Sequence, residues 1–100
     1  MTALNNWTTD MNLLPYTLMT ILAFNEGDPL VDLEKIAIHY FNTAVERFMR
    51  KVRNGEISLP ITEMEPGNRR SRKGVLVTDL ANYLHERAEE ARKLAAKRAA

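Results

Sequence analysis

Apolar positions along this chain fall into four helical stripes, interrupted once by a shorter alternating stretch. Leu14, Leu18, Ile21 and Leu22 lie at i, i+4, i+7 and i+8, the spacing of one helix face. Pro15 suits a first turn and Gly27 a terminator, which predicts a helix near 14–25. A strand is the competing reading, because Thr17, Thr20 and Ile21 are β-branched. Leu33, Ile36, Ala37, Tyr40 and Phe41 form the second stripe behind Asp32 as N-cap, predicting a helix over 32–41. Thr43-Ala44-Val45-Glu46 has the form of a capping box. It opens a third helix over 43–54, with Val45, Phe48, Met49 and Val52 buried and Gly55 as its stop.

After Gly55 the period shortens. Leu59, Ile61 and Met64 alternate loosely with polar residues, and Val75 to Val77 follow a loop opened by Pro66-Gly67; together they predict a β-hairpin across 57–77. From Thr78 or Asp79, strong helix formers run to the end of the chain and predict a helix over 79–98. Its stripe is Leu80, Tyr83, Leu84, Ala88, Ala91, Leu94 and Ala95. The first turns close a core, whereas the alanine-rich second half is either a dimer seam or a solvated tail. Residues 1–12 show neither period and are expected to be a loosely held leader, with Trp7 available as an anchor. The expected organisation is a single domain over 13–100, mainly α with a small β-hairpin and a long C-terminal helix.

Two short amphipathic helices joined by a tight turn form a candidate helix-turn-helix. The outward face of the second bears Thr43, Arg47, Arg50, Lys51 and Asn54, with Arg53 on its flank. Arg can hold guanine bidentately, Asn can hold adenine, and Lys can hold guanine or a phosphate, so this face has the chemistry of base reading. The hairpin loop carries Asn68, Arg69, Arg70, Ser71, Arg72 and Lys73. A basic tip of this kind is what a DNA-binding wing presents to phosphates or a minor groove. The expected fold is therefore a winged helix-turn-helix, and the expected partner is double-stranded DNA.

Composition supports this reading once charge is counted by position. The net charge is only +1, yet residues 1–34 hold five acids and no Lys or Arg, while all 14 cations lie beyond them with eight acids. A chain split this way can turn one face to a polyanion. The absence of cysteine excludes disulfides, thiol catalysis and cysteine-based metal centres, and fits a reducing cytoplasm. No apolar run approaches the roughly 20 residues of a membrane span, and the start lacks the layout of a secretory signal.

Candidate chemistry elsewhere is thin. No acid–base pair, nucleophile arrangement or phosphate loop stands at a usable spacing, so an enzyme is not expected, nor a cofactor. His39 and His85 lack acidic neighbours at metal spacing and are expected to be exposed helix residues. Glu89, four residues before Lys93, has the ordinary helix-stabilising arrangement. Tyr40, Phe48 and Met49 are expected in the core. RNA binding is disfavoured because the predicted strands carry no aromatic residue for stacking.

The segments Tyr40-Phe41, Glu46 to Val52, Gly55 to Pro60, Lys73-Gly74-Val75 and Asp79 to Tyr83, within Met11 to about Lys97, resemble the pyocin activator protein family. Residues 1–10 fall outside the resemblance. It implies a prophage-borne transcription activator whose central unit is similar to the winged helix of excisionases and MerR-type regulators. Arg47, Arg50 and Lys51 then fall on the helix placed against DNA, and Arg69 to Lys73 on the wing. RNA polymerase would be the activator's further partner. Excisionases, which bend attachment-site DNA and would work beside an integrase, share this size and layout, so both outcomes stay open. A protein-interaction module using the final helix is the reading from another class. A homo-oligomer through that helix is compatible with all of them. The implied location is the bacterial cytoplasm, on the nucleoid when bound.

Overall fold

The computed structural model describes residues 13–99; the expected leader and Trp7 lie outside them. The element order is α1 (Leu14–Phe24), β1 (Leu30–Asp32), α2 (Leu33–Phe41), α3 (Val45–Arg53), β2 (Thr62–Glu63), β3 (Lys73–Leu76) and α4 (Val77–Ala99). The fold is mainly helical, with a small antiparallel sheet and a long C-terminal helix, as the stripes predict.

One core ties the elements together. Ile21 of α1, Val31 of β1, Ile36 and Ala37 of α2, Phe48 of α3, Val75 of β3 and Leu80 and Ala81 of α4 are buried in it. Ile57 and Leu59 join it from the connection after α3. Phe48 is fully buried and its ring lies 5.1 Å from that of Phe41. A Phe of this kind contributes about 3–5 kcal/mol, judged by the cost of removing it. Tyr40, Met49, Leu33, Val45 and Val52 pack on the core's edge, as their positions in the stripes predict.

The sheet differs from the expected hairpin. Its order is β1-β3-β2, so the second hairpin strand is central and pairs on its other edge with a strand the periodicity does not reveal. Leu30, Val31 and Asp32 face Leu76, Val75 and Gly74, while Thr62 and Glu63 face Gly74 and Lys73. Three residues are too few to display a period of two. Val77 begins α4 instead of ending β3, and its N–H still donates to the Pro29 carbonyl at 2.9 Å. Gly74 is where the sheet is tightest: a Cβ there would stand 2.3 Å from the Val31 carbonyl oxygen.

Two caps also differ. Asp32 holds the N-cap position of α2, but its side chain makes no capping bond; it turns to Arg72 instead. The capping box over Thr43–Glu46 does not form, because α3 starts at Val45 with Ala44 as N-cap. The closing of α2 explains this. Asn42 adopts a left-handed conformation, φ 50°, and the Thr43 N–H reaches back to the Ala37 carbonyl at 3.1 Å. That spends Thr43 on the turn.

Candidate nucleic-acid interface

α3 is positioned from its buried side. Phe48 is enclosed and Val45, Met49 and Val52 are half-buried, which leaves Arg47, Arg50, Lys51 and Arg53 exposed on the rest of the helix surface. Among the described residues none of these four cations meets a carboxylate within salt-bridge distance. Arg50, Lys51 and Arg53 lie in the last turn, where they also suit the negative end of the helix dipole. Thr43 and Asn54 differ from their expected place on this helix. Thr43 sits in the preceding turn, and Asn54 is the C-cap, its amide 3.4 Å from a Glu56 carboxylate oxygen. Gly55 follows at φ 79°, and the Glu56 N–H closes on the Lys51 carbonyl at 2.9 Å. The exposed positive charge of α3 is thus concentrated on four cations.

The hairpin loop is ordered by its own short side chains. Asn68 Oδ1 accepts the Arg70 N–H at 2.9 Å, and Ser71 Oγ accepts the Glu65 N–H at 2.6 Å. The Met64 N–H donates to the Arg72 carbonyl at 3.0 Å and closes the last rung. Asn68 and Ser71 therefore shape the loop, whereas Arg69 and Arg70 stand exposed on it. Lys73 Nζ donates to the Arg69 carbonyl at 3.3 Å. Arg72 is bound to Asp28 and Asp32, in contrast to the free wing cation its position suggests. It raises the local cost of any phosphate contact, since two carboxylates already balance its charge.

Sequence reasoning misses Asn25, Asp28 and Asp32 as partners in this geometry. Asn25 is the buried polar residue of the loop after α1, its amide donating to the carbonyls of Asp28 and Leu30 at 2.7 and 3.0 Å. Lys35 Nζ donates to its Oδ1 at 2.8 Å and lies 4.5 Å from the Phe24 ring centre. Local spacing holds no signal for contacts 40 residues apart; the only hint is a run of acids with no cation in the first 34 residues.

The histidines divide. His39 is exposed and stacked on Phe24, ring centres 4.3 Å apart. His85 is half-buried, a correction to its expected exposure, because α4 packs on α1 and its Nε2 shares a hydrogen bond with Thr17 Oγ1 at 2.8 Å. Among the described residues no group of three His, Asp or Glu could hold a metal ion, and no helix is long and apolar enough to cross a membrane.

No curated protein and no solved structure matches the chain. The family model described as Pyocin activator protein PrtN matches residues 17–91, a span that takes in the helix pair, the hairpin and most of α4. The chain belongs to the pyocin activator protein family.

Proposed function

We propose that this chain is a sequence-specific double-stranded DNA-binding protein that activates transcription, of the kind carried on prophages, and that it performs no catalysis. In this reading α2 and α3 act as a helix-turn-helix, α3 enters a major groove, and the hairpin is a wing lying along phosphates. The observation that carries it is the bare cationic face of α3: Arg47, Arg50, Lys51 and Arg53 are exposed and free of carboxylate partners among the described residues. A merely solvated helix face usually alternates charges and pairs them at i,i+4; α3 sets four cations against one acid, Glu46, which stands four residues before Arg50 but is not within salt-bridge distance of it. Membership in a family described as activators supports the transcriptional outcome over a recombinational one.

The test is binding to a mixed-sequence duplex at several salt concentrations, with the Arg47→Ala, Arg50→Ala and Lys51→Ala triple variant alongside. The expected result is salt-dependent binding by the native chain. In the variant the slope of log affinity against log salt should flatten by up to about three phosphate contacts' worth. On a specific site, loss of one bidentate base contact should cost about 1–3 kcal/mol. Equal binding by the native chain and a folded triple variant would remove α3 from the interface.

A further inference from the structure

Arg72 stands apart from the other hairpin cations because its guanidinium meets three acceptors at once. Nη2 donates to Asp28 Oδ2 at 2.5 Å and to the Leu30 carbonyl at 2.8 Å, and Nε donates to Asp32 Oδ1 at 3.0 Å. All three acceptors belong to the segment 28–32 that leads into the helix pair. They are themselves fixed: Asp28 Oδ1 accepts the Leu30 N–H at 3.0 Å, and the Asn25 amide holds the Asp28 and Leu30 carbonyls. The Arg72 hydrogen bond, followed by that of Leu30, keeps the Asp28 carboxyl below its ordinary range. On its backbone side Arg72 closes the last hairpin rung with Met64. One residue therefore links the hairpin loop to the body of the domain.

We propose that Arg72 is a positioning residue that docks the 64–72 loop on the 28–32 segment, so that Asp28 and Asp32 are needed for full DNA affinity although their charge repels DNA. The DNA consequence rests on the function proposed above; the docking does not. The fork geometry matters, because a guanidinium can span two carboxylates and a carbonyl while an ammonium is a single point of charge. Simple electrostatics gives the opposite sign: removing two acids beside a polyanion strengthens binding. If the wing must be docked to bind, removing the acids weakens binding instead, since only docked molecules are competent.

The experiment uses the full chain and two variants that keep Arg72's neighbours in shape, Arg72→Lys and the Asp28→Asn, Asp32→Asn pair; asparagine at 28 retains the acceptor for the Leu30 N–H. Hydrogen exchange of the Met64 amide in the free protein reads docking. Affinity for a mixed-sequence duplex reads its consequence, and far-UV circular dichroism reports the fold. Both variants should speed Met64 exchange by up to about fivefold and weaken binding by about two- to fivefold, the range open to half-exposed ion pairs. Unchanged exchange and affinity in Arg72→Lys would assign Arg72 to a phosphate, where any cation serves, and overturn the proposal. Tighter binding by the asparagine pair would overturn it too, leaving the acids as mere repulsion. If the native chain binds no duplex at all, the functional reading falls, and exchange at Met64 alone decides whether Arg72 docks the loop.

Discussion

At the scale of single residues, Gly74 and Phe48 show two ways a position can be determined. Phe48 is specified by what surrounds it, a fully enclosed site beside Phe41 of α2. Gly74 is specified by what has no room: it pairs with Asp32 on one side and Thr62 on the other, and a Cβ would collide with the Val31 carbonyl, which as backbone cannot swing aside. Gly74→Ala should therefore destabilise the fold by about 1–3 kcal/mol through forced separation of β1 and β3. A urea midpoint equal to that of the native chain would mean that the strands part freely. Thr43 adds a third case. Its sequence context is that of a capping box, but Asn42 turns left-handed first and the capping role is lost.

At the scale of elements, α4 divides into two halves with different jobs. Its first turns supply Val77, Leu80 and Ala81 to the core, and Tyr83 and Leu84 to its edge, while every described residue from Glu90 onward is exposed, Leu94 at 51%. Arg92 pairs with Glu89 at 3.7 Å, in place of the expected pairing of Glu89 with Lys93. Removing residues 94–100 retains that pair and should change the monomer's unfolding free energy by no more than about 0.5 kcal/mol. A concentration-dependent loss larger than that would identify the tail as a seam between copies. α3 is the converse: a nine-residue helix, too short to be stable alone, held in place by one side and therefore free to offer the other.

At the scale of the whole molecule, the charge segregation along the chain becomes contact between segments distant in sequence. Asp28 and Asp32 of the acidic first third reach Arg72 of the basic remainder. Because the folded Asp28 carboxyl titrates below its ordinary range, its contribution is fully present above that range and is lost as pH falls through the lowered value. Acidification below the ordinary carboxylate range should accordingly release the hairpin loop, seen as loss of Met64 amide protection; protection that persists until global unfolding would show that the ion pairs add nothing. The helices, their buried stripes, the basic face of α3 and the exposed Arg69 and Arg70 were legible beforehand, because helical burial repeats every three to four residues and leaves its mark within a few turns of chain. Three-residue β1 was not, nor the central place of β3, the engagement of Arg72 or the half-burial of His85. Each depends on a partner far along the chain, Leu30 on Leu76 and Thr17 on His85, and a pairing across such a separation leaves no local period to read. The sequence by itself determined which residues turn inward and where charge gathers; tertiary structure alone decided which cations remain free, because that depends on which carboxylates folding brings within reach.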